Sequence, residues 1–191
     1  CGIEDVPVRI QASTSLSVIS KAEPWVNLLR TTVGCFSSAI GGADIISVAP
    51  FDSGLGIPDD LGLRLARNTQ LILMEEANIH RVIDPAGGSW YVESLTDQLS
   101  KSAWERFQAI EKNGGVLNEI QNGTLQSHLE KMRAEVQGKV QEGDQILVGV
   151  NQFTSDEERP LERSPYPKWG QDVDFQEVEP IQLFRPSEGL E

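Results

Sequence analysis

The sequence contains little cysteine and little histidine. Its 191 residues include two cysteines, Cys1 and Cys35, and two histidines, His80 and His128. Two cysteines without CxxC spacing are too few for a disulfide framework. Because no His, Cys or acidic residue accompanies His80 at ligand spacing, we expect no metal site. Cys35 lies among apolar residues, and we expect it to be a small core residue.

Positive charge and long apolar runs are also scarce. The chain has 16 Lys and Arg against 29 Asp and Glu, for a net charge of −13. Nucleic acids and anionic membranes carry the same sign, so neither is an expected partner. No run approaches the roughly 18 apolar residues of a membrane span, and the N-terminus lacks the pattern of a secretory signal. We therefore expect a cytoplasmic protein, either one globular domain or part of a larger one.

Composition divides the chain into three parts. Residues 156–191 hold 10 acidic and 4 basic residues together with five prolines, which predicts an extended tail. This tail also contains aromatic residues, so we expect it to lie along another surface. Residues 116–155 predict a helical arm with a last short strand at 146–150. Residues 1–115 alternate short apolar runs with helical periods, which is typical of βα units around a parallel sheet.

Three βα units can be traced, with strands near residues 8–12, 44–49 and 81–84. The second strand is mostly apolar, as expected of a strand buried on both faces. A Ser94–Asp97 capping box is predicted to begin the third helix. The predicted fold class is therefore α/β. Three units cannot close an eight-stranded barrel of roughly 200 to 250 residues, so the sheet is either small and open or part of a larger barrel.

Polar residues that follow the strands are the candidate site. Asp52 and Asp84 stand where barrel enzymes place catalytic carboxylates, but no acid–base partner lies nearby in sequence, and we favour capping or loop bonding for both. Gly87, Gly88 and Ser89 could present backbone N–H groups to a phosphate. The alternative, which we favour, is a tight turn that needs positive φ.

Five segments together resemble the methylmalonyl-CoA mutase family in order and spacing. They are Glu-Pro-Trp-Val-Asn-Leu-Leu-Arg-Thr-Thr at 23–32, Gly-Gly-Ala-Asp at 41–44, Pro-Phe-Asp at 50–52, Ala-Arg-Asn-Thr-Gln at 66–70 and Arg-Val-Ile-Asp-Pro-Ala-Gly-Gly-Ser-Trp-Tyr-Val-Glu at 81–93. The resemblance implies the last three βα units of a TIM-type (β/α)8 barrel, followed by C-terminal helices and the extended tail. It also implies that the assembly binds acyl-CoA in the barrel and adenosylcobalamin in a separate domain. No Asp-x-His-x-x-Gly motif of that cobalamin domain is present.

Two stretches depart from the catalytic members of the family. Catalytic subunits resemble Gln-Thr-Ser-Gly-Trp-Ser-Leu after the first of these strands, where this chain has Ala-Ser-Thr-Ser-Leu-Ser at 12–17 and Ser13 is the barrel-mouth candidate. They resemble His-Thr-Asn-Ser-x-Asp-Glu-Ala after the second, where this chain has Ser-Val-Ala-Pro-Phe-Asp-Ser-Gly at 47–54. The loss of these polar groups is similar to the small, non-catalytic subunit of heterodimeric bacterial mutases.

The resemblance leads to three hypotheses. In the first, the chain is a fragment of the small subunit, contains no catalytic residue, does not bind adenosylcobalamin alone and stabilises a large catalytic subunit that isomerises methylmalonyl-CoA to succinyl-CoA. In the second, it is part of a catalytic acyl-CoA mutase of altered specificity. In the third, it is a structural module that never meets substrate.

Overall fold

The computed structural model describes residues 8–155 and 161–166, and every structural statement below refers to these residues. The chain is α/β and mostly helical. Its strands are β1 (Gln11–Ser13) and β2 (Ile45–Ser47). Its α-helices are α1 (Asn27–Ile40), α2 (Asp60–Leu71), α3 (Trp90–Lys112), α4 (Gly115–Gln121) and α5 (Thr124–Glu142).

The two strands form a parallel pair, and α1 is the crossover between them. Gln11 pairs with Ile45, Ala12 with Ile46 and Ser13 with Ser47. The Thr14 N–H donates to the Ser47 carbonyl at 3.0 Å and continues the pairing beyond β1. Parallel strands need such a long crossover, so the predicted β–α–β arrangement of the first two units is confirmed. Both strands are shorter than predicted.

The predicted third strand at 81–84 is wrong for the described structure. Ile79–Arg81 form a 3₁₀ turn, entered through Asn78 in the left-handed region at φ 55°. Val82 is extended, but no described strand pairs with it, and Ile83 is 97% exposed. A strand is stabilised by backbone pairing with a neighbour, so an apolar run without that neighbour stays irregular.

Local capping chemistry fixes where the helices begin. A 3₁₀ turn at Pro24–Val26 leads into α1, with Pro24 in its first position. Asp59 caps α2 by accepting from the Gly62 N–H at 2.8 Å. Helix α3 begins at Trp90 after the N-cap Ser89, so the predicted capping box at Ser94 is wrong. The Ser94 hydroxyl lies inside the helix and accepts from Gln98 at 3.0 Å.

The helical arm after α3 is confirmed as α4 and α5, but its last strand is not. Residues 146–150 form turns, with one isolated bridge between Val148 and Gln152. The side chain of Asn151 stabilises these turns, since its Oδ1 accepts from the Leu147 N–H at 2.7 Å and its amide donates to the Val140 carbonyl at 2.9 Å. Of the predicted tail, residues 161–166 are described and have neither helix nor strand; its other residues lie outside the described part.

The described core is small and partly polar. Its buried apolar side chains are Cys35, Phe51 and Leu73, which confirms Cys35 as a core residue. Helices α3 and α5 bury no residue, and Ile45 of β2 is 54% exposed, so the expectation of a strand covered on both faces is wrong here. A two-stranded sheet with one crossover helix has too little structure around it to cover both faces. None of the helices in the described part combines the length and apolar character needed to cross a membrane.

Replacing Gly62 should destabilise this fold more than replacing another helical glycine. A Cβ at position 62 would lie 2.3 Å from Oδ1 of the buried Asp52, whereas a Cβ at Gly138 in α5 meets nothing within 4 Å. We expect Gly62→Ala to lower the free energy of unfolding by about 1–3 kcal/mol through overpacking. Gly138→Ala should raise it by about 0.5–1 kcal/mol through helix propensity. Urea unfolding followed by circular dichroism measures both; equal effects of the two variants would contradict the close approach.

Candidate functional site

The carboxyl ends of β1 and β2 place two of the candidate residues at one edge of the sheet. Ser13 ends β1, is exposed, and lines an open groove of about 1000 Å³. The groove lies between the loop after β1, one face of α1 and residues 145–150, and its lining is mainly aliphatic with a set of hydroxyl groups. Asp52 follows β2 and lies in the protein interior.

Asp52 is held by an ion pair and a backbone contact. Its side chain is fully buried, and Oδ2 accepts from Nε of Arg163 and from the Asp59 N–H, the latter at 3.3 Å. The same guanidinium contacts Asp59 through Nη2 at 2.8 Å. Oδ1 has no hydrogen-bond partner. The helix cap at this point is Asp59, so Asp52 serves loop bonding and its partner comes from 111 residues further along the chain.

The loop from Asp84 to Ser89 is a tight turn closed by its own groups. Asp84 has φ 50°, and its carbonyl accepts from the Gly87 N–H at 3.0 Å. Gly88 has φ 77°, and its N–H donates to Oε1 of Glu93 at 3.0 Å. An anion bound by the Gly88 N–H would have to displace this carboxylate, so the geometry is that of the turn alternative. A phosphate-binding role for Gly87, Gly88 and Ser89 stays a prediction.

The structure does not join the two carboxylates into one site. Asp52 and Asp84 have no hydrogen bond to each other and no common partner in the described part of the chain. His80 and His128 are exposed, on the 3₁₀ turn and on α5. Nowhere in residues 8–155 or 161–166 do three His, Cys, Asp or Glu side chains come together as metal ligands would.

Asn27 is a central residue that the sequence prediction did not single out. It is fully buried at the start of α1, where its Nδ2 donates to the Ser20 carbonyl at 2.8 Å and to the Phe51 carbonyl at 2.9 Å. Its Oδ1 accepts from the Ser20 N–H at 2.9 Å and from Arg30 at 2.7 Å. One amide therefore links the segment after β1 to the loop after β2. The sequence does carry a signal for this pair. Asn27 and Arg30 stand three apart in the 23–32 signature, and residues three apart on a helix are neighbours.

Arg30 extends this cluster to the helical arm. Its Nη2 donates to the Val148 carbonyl. Beside it, a Cβ at the buried Gly149 would lie 2.0 Å from Oε2 of Glu23, and Gly149 has φ 74°. The arm can approach α1 this closely because position 149 has no side chain. Asn27 and Arg30 of one signature thus bond to three separate segments, at Ser20, Phe51 and Val148.

These features define a class of protein: an α/β chain in which a parallel βαβ unit carries polar loops at the carboxyl edge of its strands. The family model described as methylmalonyl-CoA mutase matches residues 4–187. The chain belongs to the methylmalonyl-CoA mutase family.

Named relatives agree with this assignment. The chain is 45% identical over 159 residues to a methylmalonyl-CoA mutase small subunit of Streptomyces virginiae, covering 83% of this chain and 26% of the relative. It is 41% identical over 160 residues to the small subunit of Propionibacterium freudenreichii subsp. shermanii, with 83% and 25% covered. A methylmalonyl-CoA mutase of Escherichia coli is 36% identical over 155 residues, with 81% and 22% covered. The chain thus spans about a quarter of the length of the curated relatives it matches.

Removing the Asn27 amide should strongly destabilise the fold. Asn27→Ala leaves the Ser20 and Phe51 backbone groups without partners in the interior, and we expect a loss of about 3 kcal/mol in the free energy of unfolding. The matched control is Asn118→Ala, which removes an exposed side chain that donates to one carbonyl, and we expect a loss below about 1 kcal/mol. Chemical denaturation measures both. A loss at Asn27 no larger than that at Asn118 would be inconsistent with the cluster.

The Cys35 thiol should react slowly while the protein is folded. Burial raises the pKa of this thiol, so its neutral form is favoured by folding. The contribution of Cys35 to the free energy of unfolding is fully present below the ordinary thiol pKa. It is lost as the pH rises through the pKa of the thiol in the folded protein. In a Cys1→Ser background at pH 8, modification by a disulfide reagent should be at least about tenfold slower than in denaturant. Equal rates would show that Cys35 is accessible.

Proposed function

We propose that the chain is part of the small, non-catalytic subunit of an adenosylcobalamin-dependent methylmalonyl-CoA mutase and stabilises a large catalytic subunit. The two relatives that share 45% and 41% identity with it are both named small subunits. In this proposal the chain works in the cytoplasm within a heterodimer that isomerises methylmalonyl-CoA to succinyl-CoA. Neither nucleic acid nor a membrane is a partner.

The loop after β2 carries the argument that this chain does no chemistry itself. Ala49 and Pro50 offer no polar side-chain group, and Asp52 is already engaged by Arg163. Ser53 is buried, and its Oγ has no hydrogen-bond partner among the residues that the structure describes. A loop that contacted substrate would need accessible polar side chains in this place. We infer that the loop has a structural role.

The exposed apolar surface supports a larger assembly around the chain. Trp90 is 91% exposed, Ile83 97% and Leu117 72%. Apolar surface of this extent marks a face that another body covers. In the proposal, further strands and helices of a (β/α)8 barrel cover these residues.

The described residues of this chain do not fit the cofactor. Adenosylcobalamin supplies the radical for the rearrangement when it is bound to the assembly. A histidine that held the cofactor's metal would need a pocket around it, whereas His80 and His128 are surface residues among the described ones. Cobalamin and acyl-CoA are therefore assigned to other parts of the assembly, and no residue here is assigned a catalytic step.

A catalytic mutase of altered specificity is the second candidate. The relative from Escherichia coli, 36% identical, is named a methylmalonyl-CoA mutase without mention of a small subunit. In that case Ser53 and Asp52 would contact ligand. The third candidate, a structural module remote from substrate, shares the loop geometry of the first and differs in having no mutase partner.

Reconstitution with a large subunit separates these candidates. We expect this chain to co-purify with the large subunit of a bacterial two-subunit mutase, to raise its thermal stability, and to show no conversion of methylmalonyl-CoA with adenosylcobalamin when alone. Ser53→Ala removes a buried hydroxyl without a partner, so turnover of the assembly should stay within about twofold.

Two results would contradict the proposal. Turnover by the isolated chain, or a large loss of assembly turnover in Ser53→Ala, would favour the catalytic candidate. Failure to associate with any large subunit, in the presence of cofactor and substrate, would favour the structural module.

A further inference from the structure

A short segment from the C-terminal part of the chain lies across the loop after β2. This segment, Leu161–Tyr166, is named the strap. The Ile57 N–H donates to the Ser164 carbonyl at 2.8 Å. The Tyr166 hydroxyl donates to the Ser53 carbonyl at 3.0 Å. Two backbone groups of the loop, four residues apart, are therefore satisfied by the strap.

Two ion pairs of Arg163 hold the strap between these two backbone contacts. The Arg163 side chain is 10% exposed and contacts both Asp52, which is 0% exposed, and Asp59, which is 45% exposed. A buried carboxylate without its cation is strongly unfavourable, because the interior cannot solvate the charge. Asp52 therefore depends on the strap for its counter-charge. Asp59 places a second carboxylate on the same guanidinium at the protein surface.

The loop is shaped to let the strap approach. A Cβ at Gly56 would lie 2.1 Å from the Ser164 carbonyl oxygen, so only glycine permits this contact. Ile19 lies against Gly54, and its Cγ2 would be 2.8 Å from a Cβ at that position. The 53–57 loop thus contacts both the strap and the segment after β1.

We propose that the strap holds the loop after β2 in one conformation and prevents Asp52 from acting as an acid, a base or a cation ligand. Asp52 follows a parallel strand at the sheet edge where barrel enzymes place reactive groups. With the strap in place, Oδ2 is occupied by Arg163 and the Asp59 N–H, and Oδ1 faces the closely packed Gly62. Opening the strap removes the counter-charge and uncovers the loop backbone. This inference goes beyond the proposed function and does not depend on a mutase partner.

Trypsin reports the state of the strap, because the Arg163–Ser164 bond can be cut only when Arg163 leaves its two carboxylates. We expect cleavage there to be at least about tenfold slower in the native chain than in the chain unfolded by urea, relative to a reference peptide substrate. Hydrogen exchange of the Ile57 amide should be slowed in parallel.

Two variants weaken the strap from different sides without removing the cleavage site. Asp59→Asn deletes one carboxylate and keeps the helix cap, since Asn caps as well as Asp. Tyr166→Phe deletes the hydroxyl that bonds Ser53. Each should raise cleavage at Arg163 and exchange at Ile57 by about three- to tenfold. Asp97→Asn, which breaks the exposed Lys101 pair, is the matched control and should change neither rate.

Circular dichroism melts establish that each variant is folded. If Asp59→Asn does not fold, Tyr166→Phe alone decides, because its side chain is half exposed and tolerates the loss of one hydroxyl. Native cleavage at Arg163 as fast as in urea, or no acceleration in a folded Tyr166→Phe, would overturn the proposal. Faster cleavage at Arg163 and faster exchange at Ile57, with both rates unchanged in Asp97→Asn, would support it.

Discussion

The buried amide of Asn27 is the interaction on which the rest of the structure depends. It satisfies backbone groups at Ser20 and Phe51, which lie beyond the ends of β1 and β2. With three residues each, the strands provide little cohesion of their own. The relative position of the two loops therefore rests on one side chain at the first turn of α1. The Trp25 ring stacks on the Phe51 ring beside this contact, with 4.9 Å between the ring centroids.

The loop after β2 is held from two directions. Asn27 binds the Phe51 carbonyl, and Arg163 binds the neighbouring Asp52 carboxylate. A carboxylate that is fully buried and paired is not accessible to a ligand. The loop that stands where catalytic members of the family carry polar residues is thus held by contacts at Phe51 and Asp52. This agrees with the small-subunit names of the relatives and gives the proposed non-catalytic role a physical basis.

Sequence periodicity was sufficient to predict helices, because a helix forms between residues that are close in sequence. The helical periods of residues 1–115 predicted helices where α1, α2 and α3 are found, and the pattern of residues 116–155 predicted α4 and α5. It failed where a partner elsewhere decides: residues 81–84 have the composition of a strand but no described neighbour. Ser94 has the pattern of a cap, although the helix already begins after Ser89. Asp52 was placed after a strand, with capping or loop bonding favoured. Its partner Arg163 lies 111 residues away and has no local signature, so no spacing argument reaches it.

We propose that this chain supports a mutase assembly whose chemistry is carried out by another subunit. The decisive test measures two quantities for the parent chain and for Asn27→Ala: the dissociation constant of the assembly and the turnover per assembled complex. We expect Asn27→Ala to weaken assembly, while each complex that still forms converts methylmalonyl-CoA at the parent rate. A variant that assembles with unchanged affinity but converts substrate much more slowly would contradict it.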